Sequence, residues 1–348
     1  MKRSTRLALF ILGAAVFGYL VAQIGIGQLA SDAARTGWMF LPILAIYGVV
    51  YACSALAWRL TMITGGDARK PPFLRTYAMT ISAGAINFLT PVINAGGEPF
   101  RIAAAAAWLG KRRAAGSVIL HRMLHSLAYV LVWLTAVILA LFLLPRDTPG
   151  IVFVLLAAAS VVLLGVIALF LFVLRRGMLQ RILGWMHRVP LVRRLAVVLE
   201  PRRALLIELD QQIIDFYHLH TRRFLQALAL EYASRCIFML ELTLVASSLG
   251  LSLGYWRAFS IAGLEALLGN VLFFVPFELG SREGAFYVLF NLFGLDPQIG
   301  LYAAIVSRVR DFAWIGVGLS LIWAAGARQS AADPAVPAVP AVPVAPPV

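Results

Sequence analysis

The chain has 348 residues, is 61% hydrophobic and 13% charged, and has a mean hydropathy of +0.87. That much apolar surface excludes an ordinary soluble globule and predicts an all-α polytopic membrane protein. The net charge of +14 does not point to nucleic acid, because Lys and Arg cluster in short loops between apolar stretches, as on one side of a bilayer.

In chain order, residues 1–6 are basic and residues 7–27 apolar. They read as a retained first helix or as a signal peptide with a weak cleavage site at 28–30, and the retained helix is favoured. A second span covers 38–63, and a basic, Pro-containing loop covers 65–75. Residues 73–95 are apolar but broken at Pro91, and a short helix follows over 98–110. Thirteen residues reach only ~20 Å, short of the ~30 Å hydrocarbon core. Basic loops flank this pair of segments, so both ends belong on one side and 73–110 is predicted to be re-entrant.

A long span covers 114–144, and a clean one 151–174. The polar region 175–223 holds ten arginines. Apolar residues at helical spacing over 178–186 suit a helix on the anionic inner leaflet; a basic connector that only sets topology is the equal alternative. A span at 224–250, a segment at 255–277 broken near Pro276, a short helix at 282–294 and a last span at 297–325 complete the membrane part. The Ala-Val-Pro repeats near the end predict a disordered tail over 327–348. This gives six full spans and two re-entrant pairs. Twenty of the 30 basic residues then fall on one side, which places both termini in the cytoplasm.

The halves 38–144 and 224–325 repeat one order. Glu98 is seven residues after Pro91 and Glu283 seven after Pro276; Arg122 and Arg308 follow in the next span. The first pair enters from the cytoplasm and the second from outside, which predicts an inverted repeat of the transporter type.

The candidate binding site follows from what is costly in lipid. In the first half it comprises Asn87, Pro91, Gly96, Gly97, Glu98, Arg101 and Arg122. In the second it comprises Asn270, Pro276, Gly280, Arg282, Glu283, Arg308 and Asp311. Gly96 and Gly97 let the chain bend and Pro99 suits a first helical turn. Each half-helix N-terminus would then face a cavity near the midplane and favour an anion such as a lipid phosphate. Ser281 is a plausible cap. The competing reading is structural: Glu98 with Arg101, Glu231 with Arg235, and Arg308 with Asp311 have the spacing of ion pairs along one helix. His121 and His125 lie four apart without an evident third metal ligand, so a hydrogen-bonded pair is favoured over a metal site. Neither a cofactor motif nor a nucleophile–base arrangement is present, and the chain is not expected to be an enzyme.

Pro91, Gly96, Gly97, Glu98 and Arg101, then Pro276, Gly280, Ser281, Arg282, Glu283 and Gly284, then Ser307 and Arg308, resemble the lysylphosphatidylglycerol synthase transmembrane family, the flippase-like domain. The likeness covers roughly residues 5–326. It implies an inner-membrane protein that moves a lipid or lipid-linked intermediate between leaflets. In the synthases a fused soluble domain makes the aminoacylated lipid; this chain resembles a stand-alone member, so lysyl transfer does not carry over. Similar members are associated with hopanoid, glycolipid or isoprenoid-linked pathways. Glu278 departs from the family, which more often has a small residue there.

The expected function is lipid transport, with Glu98 and Glu283 as proton-carrying candidates. The alternatives are a non-catalytic partner of a lipid-synthesis enzyme, docked through 175–223, and a membrane-embedded lipid-modifying enzyme.

Overall fold

The computed structural model describes residues 34, 36–63, 69–90, 96–176, 203–271 and 280–332. Among them, regular structure consists of a 3-10 turn, Gly37–Met39, and ten α-helices. These are α1 Phe40–Thr61, α2 Phe73–Leu89, α3 Gly97–Leu109, α4 Lys111–Leu143, α5 Gly150–Arg176, α6 Arg203–Leu219, α7 Thr221–Ser248, α8 Tyr255–Val271, α9 Ser281–Leu292 and α10 Pro297–Ala332. The stretch at 7–27, Pro91, Pro276, Glu278, the segment 178–186 and the chain beyond 332 lie outside the described residues.

Local chemistry sets the boundaries. Pro72 has extended backbone, and its carbonyl accepts the Thr76 N–H at 3.0 Å to open α2. Pro297 opens α10 with the φ that a first turn needs. The two short helices, α3 and α9, are followed by Gly110 (φ 77°) and Gly294 (φ 67°). That left-handed backbone favours glycine, so both helices end near the predicted positions. Two elements exceed the sequence reading. Residues 203–219 of the basic connector form α6, which packs on α4, α5 and α7 and buries Ile213 and Phe216. Helix α10 continues to Ala332, into the stretch assigned to the tail.

Helices α2 and α3 form a tight hairpin whose open end closes on itself: the Arg69 N–H donates to the Trp108 carbonyl at 3.2 Å. Lys70 Nζ donates to the Arg59 carbonyl at 2.7 Å, tying the same level to the end of α1. Helices α8 and α9 form a second hairpin. A Cβ at Gly294 would lie 3.7 Å from Pro145 Cγ, just past the end of α4. The hairpins therefore lie towards opposite ends of α4, which is 33 residues long, or ~50 Å.

The packing pattern repeats. The pairs α1–α2, α2–α3, α3–α4 and α1–α4 are matched by α7–α8, α8–α9, α9–α10 and α7–α10; α4–α8 is matched by α10–α2, and α1 packs on α7. The match extends to residues. Ser260 Oγ donates to the Ala136 carbonyl at 3.0 Å across α8–α4, and Ser82 Oγ to the Gly318 carbonyl at 3.4 Å across α2–α10. A Cβ at Gly263 would lie 2.4 Å from Ala136 Cβ, and one at Gly318 would lie 2.6 Å from Ala85 Cβ. These close crossings need small residues.

Among the described residues, three helices are long and apolar enough to cross a membrane: Gly37–Thr61, Lys111–Leu143 and Gly150–Arg175. Helices α7 and α10 have the length, with 28 and 36 residues. They carry Glu231, Arg235, Glu241, Arg308, Arg310 and Asp311, and all six are buried. Their charges face inward, which is where a bilayer tolerates them. Helix α5 instead turns Val154, Leu155, Val161, Val162 and Leu169 outward.

Candidate functional site: a charged cavity between two hairpins

Glycines bring the first hairpin together by close approach. A Cβ at Gly97 would lie 2.3 Å from the Ala83 carbonyl oxygen, and one at Gly96 would lie 2.1 Å from Thr90 Oγ1. The Gly97 N–H donates to Asn87 Oδ1 at 2.6 Å. Asn87 Nδ2 donates to Glu98 Oε1 at 3.4 Å, and Arg122 of α4 meets the same oxygen at 3.4 Å. In the second hairpin Gly280 (φ 78°) turns the chain into α9. Its N–H is capped by Glu283 Oε2 at 2.9 Å, so the carboxylate of Glu283 takes the role expected of Ser281. Ser281 Oγ is buried and has no partner among the described residues.

Glu283 also receives Arg308 on both oxygens, at 2.5 and 2.9 Å. Glu98–Arg122 and Glu283–Arg308 are thus the same pairing in the two halves, from the first turn of a short helix to the next long helix. Arg101 is separate. It is buried, donates to Thr80 Oγ1 at 3.4 Å, contacts His121 Nδ1 at 3.2 Å, and lies 4.2 Å over the Trp58 ring.

The ion pairs suggested by helical spacing are replaced by pairs between helices. Glu98 turns to Arg122 rather than Arg101. Glu231 accepts from His121 Nε2 at 2.9 Å and His125 Nδ1 at 2.7 Å rather than from Arg235. Asp311 accepts from Arg282 at 2.8 Å and from its neighbour Arg310 at 2.7 Å rather than from Arg308. The helix crossings bring these partners closer than one turn of a single helix does. The two histidines are hydrogen-bonded, as expected, and both act through Glu231. Among the described residues no group of three or more His, Cys, Asp and Glu has an arrangement that could hold a metal.

Arg310 was not singled out in the sequence. It is 2% exposed. It donates to Glu241 and Asp311, and its guanidinium lies 4.4 Å over the Tyr47 ring and 5.1 Å over Phe238. Ser307 Oγ donates to the other Glu241 oxygen at 3.0 Å. The signal in the sequence was the 308/310 spacing: two residues apart on a helix point to nearly opposite sides, so the two arginines serve different neighbours.

These groups surround a cavity of about 830 Å³ at the centre of the bundle. The C-terminal ends of α2 (Asn87, Thr90) and α8 (Gly269, Asn270) reach it from the two hairpins. Arg122, His125, Tyr129 and Trp133 line it from α4, Arg235 and Glu241 from α7, and Arg310 and Asp311 from α10. Of the predicted residues, Asn87, Arg122, Asn270, Arg282 and Asp311 line this cavity. Gly96, Gly97, Glu98, Arg101, Gly280, Glu283 and Arg308 are not among its lining residues. Asn270 is exposed, with its side chain donating to the Ala266 carbonyl at 2.8 Å.

Arg235 is unlike the other cavity arginines. It is 8% exposed and has no carboxylate within 4.0 Å among the described residues; its guanidinium lies 4.4 Å over Tyr129, and its Nε has no partner. Trp133 Nε1 is also buried, with no partner among the described residues.

The family model described as the lysylphosphatidylglycerol synthase TM region matches residues 6–319. The chain belongs to that family. No curated protein and no solved structure matches it. Family membership and the apolar helices together make this an all-α, lipid-related membrane protein. Within the family region, Glu98–Arg122 and Glu283–Arg308 brace the two hairpins, and the cavity lies between them.

Proposed function

We propose that this family member is a lipid transporter of the inner membrane, not an enzyme, and that an anionic head group enters the central cavity on its way between leaflets. One observation carries the reading: a cavity of about 830 Å³ in the middle of the bundle, reached by both hairpins, holds a buried arginine, Arg235, with no carboxylate within 4.0 Å among the described residues. An unpaired buried cation is costly unless an anion visits it. The Gly97 N–H that opens α3 is already occupied by Asn87, and the Gly280 N–H just before α9 by Glu283. The head group is therefore assigned to Arg235 and Arg122, with the hairpin tips as walls rather than as the anion site itself.

In the bilayer the hairpins are re-entrant, α2–α3 from the cytoplasmic side and α8–α9 from outside, as halves of an inverted repeat. The matched packing of the halves supports this arrangement, as do the hairpins towards opposite ends of α4. Counted with the segment at 7–27, this reading gives six full spans and cytoplasmic termini. The test is photocrosslinking in nanodiscs with a head-group-labelled anionic phospholipid. Crosslinks at Trp133, Tyr129 and Ser126, competed by unlabelled lipid, are expected; crosslinks confined to the outer face of α5 would overturn the reading. A lipid product of changed mass would instead favour the lipid-modifying enzyme.

A further inference from the structure

The pair His121 and His125 is the motif that the transport reading leaves unused. Glu231 is 0% exposed and accepts from both rings. Arg101 can only donate, so His121 Nδ1, 3.2 Å away, must accept, and the ring proton sits on Nε2, facing Glu231. His121 is thereby held in one neutral form. His125 is different. Its Nδ1 donates to Glu231 Oε2, and its ring lines the cavity. Its Nε2 is left to accept a proton. The nearest donor, Arg235, lies 3.5 Å from both ring nitrogens, at the long limit of a hydrogen bond to either.

We propose that the cavity takes up a phosphate-bearing head group and one proton together, the phosphate on Arg235 and the proton on His125 Nε2. This rests on the transport reading and adds to it a coupling ion. The physical reason is charge balance in a low-dielectric site. An imidazolium at His125 beside the Arg235 guanidinium puts two positive charges side by side, with Glu231 already engaged by both histidines. A singly charged phosphodiester on Arg235 removes the repulsion, and the pair enters with no net charge, which avoids the cost of burying either ion alone. The proton comes from cavity water and returns to it when the phosphate leaves.

Other groups near His125 are accounted for. Its own helix contributes His121, Arg122 and Tyr129; α7 contributes Glu231 and Arg235. From α3, Glu98 faces Arg122 and Arg101 faces His121. Tyr47 and Tyr51 of α1 lie around Arg235. From α8, Glu265 lines the same cavity. Residues 150–174 of α5 contain no ionisable side chain. The α6 contact with α4 includes Arg112–Glu208, in the first turn of α4.

By linkage, the phosphate and the proton must each raise the affinity for the other by the same factor. Binding should therefore strengthen as pH falls through the imidazole range, approaching tenfold per pH unit and up to about a hundredfold between pH 8 and pH 6. The test is titration calorimetry of the full chain in detergent with dihexanoyl phosphatidylglycerol, in two buffers of different ionisation enthalpy. The expected result is uptake of close to one proton per lipid near neutral pH, absent in His125→Gln. Arg235→Lys should bind more weakly and keep proton uptake, which guards against misfolding of the histidine variant. A parallel arm uses glycerol 3-phosphate and inorganic phosphate. Uptake in that arm too supports the same site for free phosphate; uptake with lipid alone assigns it to the head group. Lipid binding without proton uptake in wild type overturns the inference and leaves the transport reading standing. No binding of either ligand at any pH overturns both.

Discussion

Glu283 and Arg308 form a two-pronged ion pair, at 2.5 and 2.9 Å, that joins the first turn of α9 to the middle of α10. Glu98 and Arg122 make the corresponding contact in the other half with one oxygen, at 3.4 Å, and the second Glu98 oxygen is buried with no partner among the described residues. The two halves thus share a brace but do not share its strength. The weaker brace is the one whose arginine, Arg122 of α4, also lines the cavity.

Glu283→Gln removes the charge from a bidentate pair that also caps α9. It should lower stability by about 1.5–3 kcal/mol. Glu98→Gln should cost under about 1 kcal/mol, because Arg122 is 43% exposed and screened. Thermal unfolding of the purified variants checks the order. Equal losses would mean that the two pairs are equivalent after all.

Gly97→Ala pushes a methyl group into the Ala83 carbonyl and should destabilise by about 1–3 kcal/mol, with part of the hairpin displaced. Gly165→Ala on α5 meets nothing within 4 Å and should be neutral or mildly stabilising, by up to about 1 kcal/mol. The same unfolding measurement separates them. A silent Gly97→Ala would remove close packing as the reason for the glycine pair.

Arg310→Met leaves Glu241 with Ser307 but without its guanidinium, and should cost about 3–5 kcal/mol. Adding Glu241→Gln to it should recover part of the loss, since the stranded carboxylate is then neutral. A double variant no better than the single would show that Arg310 acts through its contacts with Tyr47 and Phe238.

The helices and their ends were legible in the sequence. Breakers such as Pro72 and Gly110 act locally, and the apolar lengths are unambiguous. The repeated spacing marks Glu98, Arg122, Glu283 and Arg308 in the sequence, but not that they pair across helices. What the sequence concealed was partner choice across helices. Glu231 has an arginine four residues on, yet it joins two histidines on α4, because the α4–α7 crossing puts them closer. Gly96 and Gly97 read as bending residues, whereas the contacts of Gly97 with α2 are steric. Arg235 became notable only through what does not surround it, and a linear sequence carries no record of that. Residues 203–219 looked like connector because their charge outweighs the Ile213 and Phe216 face that docks α6.

Cysteine labelling tests the re-entrant arrangement. With Cys53 and Cys236 replaced, Arg69→Cys and Lys111→Cys should react from the cytoplasmic side, and Arg146→Cys from the other. Labelling of positions 69 and 111 from opposite sides would contradict a hairpin that enters and leaves by one face.

Leaflet translocation tests the central claim most directly. Proteoliposomes containing the full chain would be loaded with fluorescent anionic, zwitterionic and isoprenoid-type lipids, and outer-leaflet dye quenched. The account predicts that quenching of an anionic lipid exceeds the one-half accessible in empty vesicles, and that Arg122→Gln and Arg235→Gln slow it about tenfold or more while the proteins remain folded. Quenching that stops at the empty-vesicle level for every lipid, with folded wild-type protein, would contradict transport and leave the synthesis-partner reading in its place.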